Sequence, residues 1–140
     1  MYIYRHTVEY HETDMAGIVH FSRFFCYMEN AEHAFLRSLG LSVVLDMGDR
    51  RIAWPRVSCA FDFKKPLQFE DVFEVQLSVE KIGDKSVTYH ADIVCEGDLM
   101  ANGSSTSVCC ELKEGEDLRS ITIPDVVRAK LEGAIAGGDK

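Results

Sequence analysis

Apolar and polar side chains alternate from the start of the chain: Tyr2, Tyr4, His6, Val8 and Tyr10 fall on one side of an extended segment, and Arg5, Thr7 and Glu9 on the other. A period of two marks a strand with one buried face. After the segment "ETDMAG" at residues 12–17 the period changes. Phe24, Met28, Ala31, Phe35 and Leu39 recur at three and four residues, the spacing of one helix face, with Ser22 available as N-cap and Gly40 as the stop. This predicts a helix of about five turns. Its polar residues Arg23, Glu29, Asn30, Glu32, His33 and Arg37 are spread round much of the circumference, so its outer face is expected to meet another subunit or to meet solvent only in part. Residues 41–51 break at Gly48 and read as a connection with a helical turn at most.

Alternation then returns. Val57, Cys59, Phe61 and Phe63 are set against Arg56, Ser58 and Asp62, and Phe73, Val75, Leu77 and Val79 against Glu74, Gln76, Ser78 and Glu80. "IGDKS" at residues 82–86 is a hairpin turn into Val87, Tyr89, Ala91, Ile93 and Cys95. "CEGDL" turns into a last strand over residues 99–112, where Gly103, Ser104 and Ser105 predict a bend or a close backbone approach. A polar loop at 113–120 precedes a short helix opened by Pro124 and Asp125 and carrying Val127, Leu131 and Ile135; "GGDK" at the end is expected to fray. The order is β-α-β-β-β-β-α in one domain, residues 1–140. One long helix followed by an antiparallel meander requires the sheet to cover the helix. That is an α+β chain, either a hotdog fold, a five-stranded antiparallel sheet wrapped round one long central helix with a short C-terminal helix, or a cystatin-like sheet. Periodicity does not choose between them.

Composition narrows the function. The 140 residues are about one domain, 46% hydrophobic, and large enough to bury roughly 70% of the unfolded surface. No apolar run approaches the roughly 20 residues of a membrane span, and "MYIYRHTVEY" lacks a secretion signal's apolar core; a cytoplasmic protein is expected. The five cysteines are odd in number and form no CxxC, which predicts buried thiols rather than a disulfide framework or a zinc site. His6, His11, His33 and His90 show no metal-ligand spacing with carboxylates, so no metal is implied. A net charge of −8 argues against a nucleic-acid surface and requires that any anionic ligand be met by a local basic patch.

"ETDMAG" is the chemically conspicuous stretch. By itself it reads as a strand-to-helix turn, with Asp14 able to cap or brace it. In context, "VEYHETDMAGIVHFSRFFCYMENAEHAFLRSLG" carries Y-x-x-T-D-x-x-G-x-V-H-F as Tyr10, Thr13, Asp14, Gly17, Val19, His20 and Phe21. This resembles the opening of the 4-hydroxybenzoyl-CoA thioesterase family of hotdog proteins. The likeness continues through "FDFKKPLQFEDVFEV" and "GDKSVTYHADI" and looks closest to the Tol-Pal-associated acyl-CoA thioesterase branch, while "PRVSCAFDFKKPL" is also similar to dihydroxynaphthoyl-CoA thioesterases.

The resemblance implies the hotdog fold, hydrolysis of an acyl-CoA to free acid and CoA without a cofactor, and Asp14 as the catalytic carboxylate, nucleophile or general base. Helix N-terminal N–H groups around His20 and Phe21 would hold the thioester oxygen, and Gly17 would let the loop fold back so that both converge on one carbonyl. The chemistry is consistent: a thiol of pKa about 8.5 leaves readily as thiolate, so no general acid is needed, and each preorganised donor is worth roughly 3 to 4 kcal/mol. Val19, His20, Phe21, Trp54 and Pro55 are candidates for the acyl-site lining, although His20 could equally be a turn histidine and Trp54 a core or interface tryptophan. Glu12 is expected to support the turn. A second hotdog lineage uses a helix Glu instead, but beside Asp14, Glu29 and Glu32 are expected to be buried or at a subunit contact. For the CoA phosphates the candidates are Lys64, Lys65, Lys81, Lys85 and Arg50–Arg51, with Lys85 and Ser86 favoured because the family's pantetheine passes near the matching turn. The family's sites lie between subunits, so a homodimer, often paired into a homotetramer, is implied. Rival readings are a hydroxyacyl-thioester dehydratase and a non-catalytic acyl-CoA-binding protein.

Overall fold

Strand β6 (Ser86–Cys95) shows how the chain sorts itself: Val87, Tyr89, Ala91, Ile93 and Cys95 are buried and the residues between them are not. In the computed structural model, which describes residues 1–138, β6 lies at the centre of a five-stranded antiparallel sheet. Its companions are β1 (Tyr2–Thr7), β5 (Val72–Ile82), β7 (Asp98–Val108) and β4 (Arg56–Phe63), in the order β1-β5-β6-β7-β4. The inner face curls round α1 (Phe21–Ser38), which buries Phe24, Tyr27, Met28, Ala31, Phe35 and Leu36 against it. Burying a side chain the size of Phe24, Met28, Phe35 or Leu36 contributes about 1.5–3 kcal/mol. Helix α2 (Asp125–Gly138) adds Val127 and Leu131 to the same core. The hotdog arrangement is therefore the one formed. Asp139 and Lys140, in the expected frayed end, lie outside the described residues.

Several local expectations are corrected. Tyr10 does not continue β1; the strand ends at Thr7, and Tyr10 opens a 3-10 turn (Tyr10–Glu12) with its ring 77% exposed. The N-cap of α1 is His20, not Ser22, because the His20 ring accepts the Ser22 N–H. Residues 41–51 hold two short strands in place of a helical turn, β2 (Val44–Asp46) and the start of β3 (Arg51–Ala53). The last strand divides at Cys109, whose N–H donates to Lys85 O and whose carbonyl accepts Ile121 N–H. The chain thereby leaves the main sheet, and β8 (Cys110–Leu112) joins a second sheet with β9 (Arg119–Ser120) in the order β2-β3-β8-β9. Cys109 and Cys110 are consequently both buried, whereas Cys26 is exposed on α1.

In β4 a register shift between Arg56 and Ser58 interrupts the alternation, so Val57 is 62% exposed while Arg56 reaches the helix. Gly103 resolves to a close approach: a Cβ there would sit 2.5 Å from Ala60 O and 2.7 Å from the Phe61 ring.

Candidate active site

The chain passes from β1 to α1 through a loop fixed by backbone bonds. Thr13 bridges antiparallel to Val19, Asp14 N donates to Ile18 O at 2.9 Å, and Gly17 N donates to Asp14 O at 2.9 Å. Closing so short a turn places Gly17 at φ 79°, where a side chain is disfavoured. Asp14 is exposed; its Oδ1 accepts the Ala16 N–H at 2.9 Å, and its other oxygen has no hydrogen-bond partner among the described residues.

At the helix start the amide groups are divided unequally. His20 N donates to Glu12 O at 2.9 Å, Ser22 N to His20 Nδ1 at 3.3 Å, and Arg23 N to His20 O at 2.9 Å. The Phe21 N–H finds no acceptor among the described residues. It is thus the free donor that helix starts characteristically leave over. Phe21 and Asp14 line one cavity of about 480 Å³, together with Ile18, Val19, Phe24, Phe63, Lys64, Lys65 and Pro66. Its floor is aromatic: Phe24 meets Phe63 edge-on at 5.0 Å and Phe61 at 6.0 Å. A carboxylate with a free oxygen, an unpartnered N–H and two lysines at an apolar cleft can hold a polar carbonyl of an otherwise apolar, anionic ligand. A larger hollow of about 560 Å³ is walled by Glu111, Glu116, Asp117, Lys113 and Arg119. Its cations pair with Glu111, and it offers no comparable set of groups.

Glu12 supports the loop more extensively than a turn residue needs to. It is buried, and Oε1 accepts Glu9 N at 2.8 Å, Tyr27 OH at 2.9 Å and His6 Nε2 at 3.0 Å. Burial by itself would raise its pKa, but these donors outweigh burial and hold the carboxyl below its ordinary value. Burial first, and then the bond to Glu12, push the Tyr27 phenol up.

The remaining expected site residues divide by location. Lys64 and Lys65 stand at the cavity, with Lys65 also 3.3 Å from Asp98. The His20 ring is occupied with Ser22, its Nδ1 lying 2.8 Å from Ser22 Oγ. Trp54, Lys85 and Ser86 are not brought to Asp14 within one chain. Trp54 lines a crevice with Glu32, Arg56 and Tyr89, and the hairpin of Lys85 and Ser86 sits at the Arg56 end of the sheet, where Ser86 pairs with Val108 and Arg56 with Ser107. The cavity lies at the opposite, Phe63 end. Glu32 is buried as expected, but its tie to Arg56, at 2.8 and 3.0 Å, and to Ser105 at 3.1 Å, left no mark in the sequence. Glu29, exposed, lies 3.7 Å from the same Arg56.

A sheet wrapped round a central helix, with a carboxylate-bearing cleft lined by the first residue of that helix, is consistent with a hotdog thioester-cleaving protein. Residues 8–131 match the thioesterase-like superfamily, and the chain belongs to it; it is a thioester hydrolase. A protein of Aquifex aeolicus (strain VF5), provisionally named an esterase, is 37% identical over 133 residues, 94% of this chain and 98% of its own. A 1,4-dihydroxy-2-naphthoyl-CoA hydrolase of Prochlorococcus marinus (strain MIT 9313) is 27% identical over 128 residues, 81% of this chain and 85% of that one. The solved structure of a gentisyl-coenzyme A thioesterase aligns with a TM-score of 0.81 at 29% identity, covering 92% of this chain and 98% of that one.

Proposed function

We propose that residues 1–140 act as one domain of a homo-oligomeric, cytoplasmic acyl-CoA thioesterase in which Asp14 cleaves the thioester while the Phe21 N–H holds its oxygen. The observation that carries this reading is that Asp14 and Phe21 line the same cavity, the one with a free carboxylate oxygen and the other with a free amide. The carbonyl oxygen accepts the Phe21 N–H, and negative charge developing there is stabilised by that donor and by the positive end of the helix. In the covalent route Asp14 attacks the carbonyl carbon, the C–S bond breaks, and CoA leaves as thiolate; water then opens the mixed anhydride, releasing the acid and regenerating Asp14. In the general-base route Asp14 takes the proton of a water that attacks directly. Both fit this geometry. A dehydratase would want a histidine beside the acid, and the described cavity lining contains none.

Lys64 and Lys65 at the cavity support an anionic CoA tail. Strand β4 is an edge of the main sheet, with Val57 and Phe63 exposed on it, and an apolar edge favours pairing with another strand. Antiparallel pairing of two β4 edges would set the Arg56 end of one sheet against the Phe63 end of the other. Trp54, Lys85 and Ser86 of a second copy would then border the Asp14 cavity, which reconciles their distance from it within one chain. Free cysteines, including exposed Cys26, suit a reducing compartment. The motif at residues 10–21 supports a place near the 4-hydroxybenzoyl-CoA and Tol-Pal-associated enzymes. The names of the two CoA-thioester relatives and the Phe21, Phe24 and Phe63 walls support an aromatic acyl group.

The test is thiol release from a panel of short aliphatic, long aliphatic and aromatic acyl-CoAs. The expected result is hydrolysis fastest with an aromatic acyl group, and a fall in kcat of at least roughly 10²-fold in Asp14→Asn without loss of fold. Binding of CoA esters without thiol release, or an unchanged Asp14→Asn enzyme, would overturn the reading.

A further inference from the structure

Glu12 lies outside the described cavity lining and has no part in the bond-breaking steps. Its burial nevertheless costs desolvation that an apolar residue would avoid. What that carboxylate achieves is visible in what it joins. Through Oε1 and Oε2 it takes His6 Nε2 from β1 at 3.0 and 3.1 Å, the Glu9 N–H from the turn at 2.8 Å, and Tyr27 OH from α1 at 2.9 Å. Through its main-chain carbonyl it takes the His20 N–H at 2.9 Å.

One residue thus anchors both halves of the site. Asp14 follows it by two residues along the loop, and the Phe21 N–H lies one residue beyond the His20 amide that Glu12 holds. The donors come from a strand, a turn and a helix, so movement of the loop relative to the helix start must break at least one of them. We infer that Glu12 is a positioning residue, fixing the Asp14 carboxylate relative to the Phe21 N–H. This rests on the function proposed above. A misplacement of about 1 Å between reacting groups can lower a rate by about 10²-fold, so the clamp is worth its desolvation if it holds that distance.

The test is a double-mutant cycle on the full chain, using the acyl-CoA that the wild type hydrolyses fastest. Glu12→Gln keeps the shape of the side chain but weakens every bond to it. It is expected to lower kcat by about 10- to 100-fold and to leave KM within about two-fold, because the clamp acts on the reacting groups and not on CoA. In the Asp14→Asn background the same change is expected to cost less than about two-fold, since the carboxylate it positions is already gone. A merely structural role would give equal factors in both backgrounds, and that result overturns the inference, as does an unchanged kcat in folded Glu12→Gln. Tyr27→Phe deletes one donor while leaving the core filled, and covers the case in which Glu12→Gln fails to fold. It is expected to lower kcat by about three-fold, and no change would again overturn the inference. Absence of thiol release by the wild type across the whole panel is a different result: it overturns the proposed function and this inference with it.

Discussion

The free amide of Phe21 can be removed by a single substitution, Phe21→Pro. Proline has no N–H, and its fixed φ suits the first position of a helix. The residue before a proline must be extended, and His20 already is, at φ −64° and ψ 137°. The fold therefore gives up no hydrogen bond and no favourable backbone angle. Phe21→Pro also removes a ring, 59% exposed, so Phe21→Ala serves as the reference: it loses the ring and keeps the amide. A preorganised oxyanion donor is worth about 2.7–4 kcal/mol, or 10²–10³ in kcat. Stability of the two variants, measured by thermal unfolding, is expected to agree within about 0.5 kcal/mol. In a thiol-release assay kcat of Phe21→Pro is expected to fall about 10²-fold or more below that of Phe21→Ala. Equal kcat values in two folded variants would refute the assignment of the Phe21 N–H to the thioester oxygen.

Three further outcomes are expected. Glu32→Ala leaves Arg56 without its closest carboxylate and should destabilise the chain by about 3 kcal/mol in urea unfolding, the lower end of the range because a quarter of the Arg56 side chain reaches solvent; a loss under about 1 kcal/mol would contradict the view that this pair matters to the fold. The Glu12 carboxyl titrates below its ordinary value near 4.5, so on acidification the unfolded chain takes up the proton first. Its contribution is full above that ordinary value and is lost as the pH falls through the folded one, so the stability gap between wild type and Glu12→Gln should shrink on going from pH 7 into the acid range; a gap independent of pH would be inconsistent with the shift. Val57→Lys places a charge on the exposed β4 edge and should yield a monomer with greatly reduced thiol release in sedimentation and activity measurements, whereas a fully active monomer would show that the site needs no second copy.

The main sheet and both helices were legible because long alternating or helical runs carry their period in the residues themselves. Strands of two or three residues, such as β2, β3 and β9, carry no period. The transfer at Cys109 is decided by the carbonyl of Lys85 and the amide of Ile121, main-chain groups that nearly every residue possesses and no pattern displays. The shift at Arg56 to Ser58 hid the inward turn of Arg56 for the same reason. At the site, the Thr13, Asp14 and Gly17 turn was readable because glycine and acid at fixed spacing have few other uses. Which amide stays free was not, since it depends on Glu12 O reaching His20 through space. His6, Glu12 and Tyr27 are separated by six and fifteen residues, and only the folding of β1 beside α1 makes them neighbours. Family likeness places Lys85 and Ser86 with Asp14, and the bulk of Trp54 makes it a candidate wall; within one chain all three stand at the other end of the sheet.

Gly103 is not part of the cavity lining, yet its missing side chain leaves room for a ring that packs on one that is. It lies opposite Phe61 across the β4–β7 pair, and the Phe61 ring occupies the space that a side chain at 103 would claim. That ring in turn packs on Phe24, which lines the cleft, and stacks with Phe63 at 6.1 Å. Any larger residue at 103 must displace the Phe61 ring or the β4 backbone at Ala60. If the cleft holds the acyl group as proposed, substrate range can therefore drift through a position on the helix-facing side of the sheet that lies outside the cleft lining, without altering Asp14 or the helix start. A homologue with the same cleft residues and a different side chain at this position would be expected to differ in acyl preference.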